Sequence, residues 1–488
     1  AEGAAMNLGT AAVRGAGSVM GGQVLRMLLQ IGSVAVLTRL LDPKDYGLFT
    51  AGMLLVGFGE VFRDFGLSTA AIQAKTLSNA QRDTLFWLNT ALGAAFGVAM
   101  LGAAPLVAWW FGHPELFGIT ACLGVVFLLN GAASQYRAGL NRSLRFNALV
   151  VSDLVSSFVG IIAAIAMVLT GWGYWALVGQ QIGGGVVLIA MMVGYSRWLP
   201  GPPKRGAGVR PMVRFGMGMV ATQLVGYFAS NVDNMIIGSR LGMSELGIYS
   251  RGYQLLIRTV NQFRAPTTTV ALPVLSRLEG RDRNDAFMTT GQLALGYSLV
   301  PLITVGAATA QPIVAIVLGA KFQAVGPIFA VLAIASIFQT VSYAGYWVYL
   351  ARGLTKHLFG YSLIALAVKV ACVAAGSFWG VFGVAVGFAV SEAVSWPVTI
   401  WWLSRFTPIP VKQLWIGAGR IIAAAGFAGG IGFWVVTMLS GQPAILALLA
   451  GALAVAAGYT ALAVIPAFLR DYKTMFGLVA RALPKKAG

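Results

Sequence analysis

Cysteine and histidine are almost missing from this sequence: there are two of each in 488 residues. Cys122 and Cys372 both fall inside apolar blocks, and His113 and His357 stand alone, so no spacing suits a metal-ligand set, a disulfide framework or a thiol nucleophile. No metal and no cofactor is expected. Charge is scarce as well, at 10% of residues, with 15 acidic against 34 basic side chains. A formal charge of +19 on a soluble chain would suggest nucleic acid, but most basic residues here lie in short connections between apolar blocks, which reads as topology and excludes a nucleic-acid partner. Long polar segments are missing too. On one side the connections are short turns, such as GWGYW from Gly171 and SGQPA from Ser440. They cannot build an extramembrane domain, which argues against a membrane transferase, polymerase or ligase. No cleavable signal peptide is expected, and AEGAA ahead of Met6 reads as an appended sequence.

What the chain has is apolar length: 58% hydrophobic residues and a mean hydropathy of +0.79. A block of roughly 20 apolar residues crosses a ~30 Å hydrocarbon core as a helix, which satisfies its own backbone hydrogen bonds. The fold class is therefore an all-α polytopic membrane protein. Apolar blocks between polar or Pro/Gly-rich breaks give about fourteen spans, the first at 15–40 and the last at 444–468. The eighth, 245–275, carries Pro266 and Pro273, which predicts a kink or a bent lower end. Alternate connections are basic, with Arg137, Arg142 and Arg145 in one, Arg281 and Arg283 in another and Lys485 and Lys486 in the tail; the opposite side has little beyond Lys44 and Lys321. The positive-inside rule then puts both termini in the cytoplasm, which requires an even number of spans.

A repeat organises these spans. DYGLFTAGMLL from Asp45 lies over ELGIYSRGYQLL from Glu245 at an offset of 200 residues, matching Gly47 with Gly247, Phe49 with Tyr249 and Gly52 with Gly252. Six spans separate the two stretches, so the halves share one topology: two parallel six-helix lobes around a central cavity, plus two C-terminal helices. The expected organisation is a cytoplasmic N-terminus at 1–14, a first lobe at 15–200, a basic link at 201–214, a second lobe at 215–405, the last two spans at 406–469 and a basic tail at 470–488.

Polar groups inside the spans are the informative residues, because each costs several kcal/mol unless it faces water, a partner or a ligand. At ~100° per residue, Arg251, Gln254, Arg258, Asn261 and Gln262 fall on one stripe of the eighth span, and no carboxylate in that span compensates the arginines. Arg264 lies on another face, nearer the cytoplasmic end, and is expected to snorkel to headgroups. The first span repeats the theme with Gln23, Arg26 and Gln30. The seventh offers Gln223, Tyr227, Asn231 and Asn234, and the tenth Gln339, Tyr343 and Tyr346, amide and aromatic groups suited to sugar rings. For the amides, hydrogen-bonded glue between helices is an equal reading. Glu60, Arg63 and Asp64 can neutralise one another, and Lys369 and Glu392 sit at depths that suit a buried pair. Asp153 has no evident partner; it and Asp233 are the candidates for a protonatable coupling group.

Several stretches carry a resemblance: LTRLLDPKDYGLF from Leu37, GLSTAAIQAKTLSNAQRDTLFWLN from Gly66, YRAGLNRSLRFNAL from Tyr136, and NVDNMIIGSRLGMSELGIYSRGYQL from Asn231, running on to ALPVLSRL ending at Leu278. They resemble the polysaccharide transporter family of the multidrug/oligosaccharidyl-lipid/polysaccharide flippase superfamily, particularly its colanic-acid and exopolysaccharide exporters. The resemblance implies flipping of an undecaprenyl-diphosphate-linked oligosaccharide across the bacterial inner membrane by alternating access, with spans 1, 2, 7 and 8 lining the cavity. It implies as partners that lipid-linked glycan, the bilayer, and a polysaccharide polymerase with its chain-length machinery, and it allows coupling to a proton or sodium gradient. Guanidinium groups suit a diphosphate or acidic sugars, since charge-assisted and often bidentate hydrogen bonds replace lost hydration; with Ala51 and Phe58 at the first-lobe counterparts of Arg251 and Arg258, Arg26 would supply the facing cation. The alternatives are a lipid II flippase, which also has fourteen spans, and an ion-coupled small-molecule exporter of the same superfamily.

Overall fold

A computed structural model describes residues 2–63, 78–203, 210–277 and 281–482, and among them every regular element is a helix. Six helices precede the basic link: α1 Glu2–Leu40, α2 Pro43–Arg63, α3 Asn79–Phe111, α4 Glu115–Arg142, α5 Phe146–Leu169 and α6 Trp175–Ser196. After it come α7 Arg210–Arg240, α8 (Met243–Tyr253, a π turn Gln254–Arg258, then Thr259–Arg277), α9 Arg281–Ala308, a short α10 Ala310–Val317, α11 Val325–Ala351, α12 Thr355–Gly376 and α13 Gly380–Ser404. The last are α14 Val411–Met438, α15 Ala444–Ala461 and α16 Pro466–Ala482. Local signals set the ends. Ser78 and Gln81 form a capping box at the start of α3, the Ser78 Oγ accepting the Gln81 N–H at 3.1 Å and the Gln81 Oε1 accepting the Ser78 N–H at 3.0 Å. Gly112, left-handed at φ 69°, closes the same helix.

Ten stretches among the described residues are long and apolar enough to cross a membrane, one of which, Thr355–Ser404, contains both α12 and α13. The long helices outside that set are α2, α7 and α8. Together they make fourteen long helices, with α10 and α16 in addition. The chain is thus a multi-pass membrane protein. The π turn interrupts the eighth span upstream of Pro266 and Pro273, and the helix runs on through both prolines to Arg277.

Contacts divide the chain into two compact units, Ala1–Gly247 and Ile248–Gly488. Within the first, α3 packs on α4, α5 on α6, α4 on α6 and α2 on α4; within the second, α9 packs on α11, α12 on α13, α11 on α13 and α8 on α11. The same four pairings occur in the same order, as parallel repeats require. α7 belongs to the first unit because it packs on α2: the Tyr227 hydroxyl donates to the Leu54 carbonyl, and its ring lies over Gly57. The start of the basic link is also part of the first unit. The Trp198 indole donates to Asp83 Oδ1 at 3.2 Å beneath the Arg82 guanidinium, and Trp87 Nε1 donates to the Gly201 carbonyl at 2.8 Å.

The repeated glycines meet one another. A β-carbon on Gly47 would overlap the Met243 carbonyl oxygen, and one on Gly247 would overlap the Pro43 carbonyl oxygen. Pro43 and Met243 are themselves 200 residues apart, so the two contacts are reciprocal. Both glycines are required by a backbone approach that leaves no room for a side chain.

Candidate functional site

In the first unit the polar groups converge on Asp153. Arg137 grips its carboxylate with both terminal nitrogens, Nη2 to Oδ1 at 2.6 Å and Nη1 to Oδ2 at 3.3 Å, and Arg26 Nη1 stands 3.5 Å from Oδ2. The expectation that Asp153 lacks a partner is corrected. Its partners come from α4 and α1, out of reach of any reading within one span, so Arg137, read from sequence as a topology signal, also pairs with a carboxylate. Two guanidiniums share one carboxylate, which leaves one excess positive charge. Gln23, Arg26 and Gln30 are exposed on α1.

On α7 the amides divide. The Asn231 side chain donates to its own helix at the Tyr227 carbonyl, 3.0 Å away. Asp233 is fully buried, and its Oδ1 accepts the Asn234 N–H at 3.1 Å. Asn234 is buried beside it, and Glu60 accepts a hydrogen bond from Asn130 Nδ2 at 2.9 Å. The Arg63 side chain and Asp64, proposed above as partners of Glu60, lie outside the described residues.

In the second unit the π turn decides the geometry. It takes about one more residue per turn than an α turn, so everything beyond it rotates by roughly 100°. The single stripe expected for α8 is therefore split: Arg251 is 8% exposed, whereas Arg258 and Asn261 are exposed. Arg264, expected to snorkel, is instead buried at 9% exposure. Its guanidinium lies 4.8 Å over the ring of Tyr343, its Nη2 donates to Asn261 Oδ1 and reaches Gln339 Oε1 at 3.5 Å, and its Nη1 has no acceptor among the described residues. The phase shift turns Arg264 toward α11, where an aromatic face replaces lost hydration.

Tyr343 joins this cationic corner to a pocket of about 240 Å³ lined by Ser342, Tyr343, Tyr346, Tyr349, Leu358, Tyr361 and Thr399. Its walls are fixed. Tyr343 shares a hydrogen bond with Thr268 Oγ1 at 3.1 Å, Tyr361 donates to the Ser395 carbonyl at 3.2 Å, and Tyr349 stacks on Tyr361. Nearly aromatic walls with several hydroxyls suit a ring that has apolar C–H faces and polar edges. Tyr349 and Tyr361 were missed by the sequence reading; their spacing from Tyr343 was visible, but the partner helix was not. Lys369 is buried with its ammonium 4.4 Å over Phe388. Among the described residues no cluster of His, Cys, Asp and Glu could hold a metal.

Comparison with known proteins places this arrangement. The lipopolysaccharide biosynthesis protein WzxC of Escherichia coli K12 is 23% identical over 75% of each chain. The teichuronic acid biosynthesis protein TuaB of Bacillus subtilis 168 is 24% identical over 77% of this chain and 79% of its own. The succinoglycan biosynthesis transport protein ExoT of Rhizobium meliloti 1021 is 22% identical over 81% of each. Among solved structures, the lipid II flippase MurJ in an inward closed conformation matches 91% of this chain and 98% of its own with a TM-score of 0.71 at 13% identity. An inward-facing multidrug resistance MATE family transporter of the MOP superfamily matches 80% and 96% with a TM-score of 0.57 at 15% identity. These two share the fold. The model of a family described as polysaccharide biosynthesis protein matches residues 36–327, more than half of the sequence, and the chain belongs to that family.

Proposed function

We propose that the protein is a flippase, not an enzyme, that moves an undecaprenyl-diphosphate-linked oligosaccharide across the bacterial cytoplasmic membrane by alternating access, with both termini in the cytoplasm. The observation that carries this reading is the pairing of cations with a sugar-compatible pocket at membrane depth. Arg251, Arg258 and Arg264 line one helix, and the last of them stacks on a wall of the tyrosine pocket. A diphosphate needs fixed donors where water is excluded, and guanidinium supplies them in pairs. The pocket, smaller than the ~300–1,000 Å³ typical of sites for drug-sized ligands, takes one sugar ring of the headgroup. The relatives named for lipopolysaccharide, teichuronic acid and succinoglycan biosynthesis support a glycan substrate. Lipid II carries the same diphosphate, so the sugar end separates the two readings. Coupling to a proton or sodium gradient runs through a carboxylate, for which Asp233, fully buried on α7, is one candidate and Asp153 the other.

Arg258 gives the clean test because it is exposed. In proteoliposomes loaded with undecaprenyl-diphosphate oligosaccharide, Arg258→Ala should keep its melting temperature and slow flipping roughly ten- to hundred-fold, the worth of one charge-assisted hydrogen bond. Arg258→Lys should recover part of the rate. A stable Ala variant that flips at the wild-type rate overturns the reading.

A further inference from the structure

α16 poses a puzzle of composition. In PAFLRDYKTMFGLVARA one acid, Asp471, interrupts a basic run of Arg470, Lys473 and Arg481, with Lys485 and Lys486 following in the sequence. The structure gives Asp471 a place of its own. It is 3% exposed, receives Arg420 Nε on Oδ2 and Nη2 on Oδ1, each at 2.8 Å, and accepts the Tyr297 hydroxyl at 3.1 Å. Next to it the Tyr472 hydroxyl donates to the Tyr459 carbonyl at 2.9 Å, its ring set edge-on against Tyr297. Bonds to α9, α14 and α15 therefore fix the rotation of α16 about its axis.

That rotation sorts the remaining side chains. Phe468, Asp471 and Tyr472 turn inward, while Arg470 and Lys473 are exposed. Leu469 and Phe476 are also exposed, the latter at 76%, and Val464 and Ile465 are exposed in the turn just before. The helix, 17 residues long with four charged side chains, is not among the described stretches that are long and apolar enough to span. A helix that shows bulky apolar residues beside basic ones, and does not cross, lies in the interfacial plane. Because Arg420 neutralises Asp471, the outward charge of α16 is wholly positive.

We infer that α16 is an in-plane helix that holds anionic phospholipid headgroups of the leaflet on the basic side of the protein, with Leu469 and Phe476 in the acyl boundary and Arg470 and Lys473 on the phosphates. The Arg420–Asp471–Tyr297 latch positions it and touches no lipid. The inference is independent of what the protein transports.

The test uses the full chain with Cys122 and Cys372 replaced by Ala and a nitroxide at Phe476→Cys, reconstituted in phosphatidylcholine vesicles with and without phosphatidylglycerol. Relative exposure to oxygen and to a water-soluble nickel chelate reports depth. The label should sit below the headgroups by ~5–10 Å when phosphatidylglycerol is present and shallower without it or in high salt. Arg470→Gln with Lys473→Gln, both exposed and remote from the latch, should weaken the preference for phosphatidylglycerol roughly 25-fold, about five-fold per residue. Asp471→Asn should free the label in both lipids. A label in water in both vesicle types overturns the inference and indicates a protein partner. So does a depth indifferent to phosphatidylglycerol and to the double substitution, which would make α16 a cap held by its latch alone.

Discussion

Asp153 shows how much one side chain can mean once its neighbours are known. Its carboxylate carries Arg137 by two hydrogen bonds and Arg26 by an ion pair, from helices 16 and 127 positions away in the chain. Removing it strands two guanidiniums, yet both arginines are about half exposed, so solvent screens part of the loss. Asp153→Ala should lower stability by about 1–2 kcal/mol rather than the larger cost of breaking a fully buried pair. Asp233 should behave differently, because it is fully buried. In proteoliposomes, Asp233→Asn should abolish the acceleration of flipping by an imposed proton or sodium gradient and leave downhill flipping intact, whereas Asp153→Asn should slow both. Gradient acceleration that survives in Asp233→Asn removes that residue as the coupling group. The polar residues were legible in the sequence because they are expensive in an apolar span. Which of them pair was not, since the partners of Asp153 and Arg264 are set by helix packing and, for Arg264, by a π turn that no periodicity in LLIRT announces.

At the scale of elements, the repeat was legible and its purpose was not. DYGLF and ELGIY could be aligned from sequence, but only the structure brings Gly47 onto Met243 and Gly247 onto Pro43. The obstacle in both cases is a backbone oxygen, which cannot rotate away as a flexible side chain could. Gly47→Ala and Gly247→Ala should each destabilise the protein by about 1–3 kcal/mol, the range for forced overpacking. Gly226→Ala on α7, where nothing lies within 4 Å of a new β-carbon, should be neutral or stabilising by up to ~1 kcal/mol. Melting of the three variants in one detergent separates steric conflict from a general loss of glycine. Equal melting temperatures would remove the close approach as the reason for these glycines.

For the whole molecule, hydropathy marks most of the spans and charge predicts their direction. The ten apolar stretches leave out α2, α7 and α8, and α1 has the lowest mean hydropathy of those included, 1.2. These four are the spans that the family resemblance expects to meet the substrate, and all four carry polar groups along their length. Orientation rests on the basic connections. Lys44 Nζ bonds to Glu115 at 3.1 Å, with His113 also beside that carboxylate, so one side carries a partly neutralised cluster. Arg145, exposed, donates to the Tyr195 carbonyl at 2.7 Å on the other side, and Arg283 is exposed as well. With Cys122 and Cys372 replaced, single cysteines at Lys44 and Lys321 should react with an impermeant maleimide in intact bacteria. Those at Arg145 and Arg283 should react only after the membrane is permeabilised. Against a membrane potential of 100 mV, inside negative, each basic charge carried to the outer side costs about 2.3 kcal/mol, and the basic residues of the other connections outnumber Lys44 and Lys321. The reverse labelling pattern would invert the direction of transport. A pattern in which Arg145 and Arg283 label from opposite sides would break the even span count on which the orientation depends.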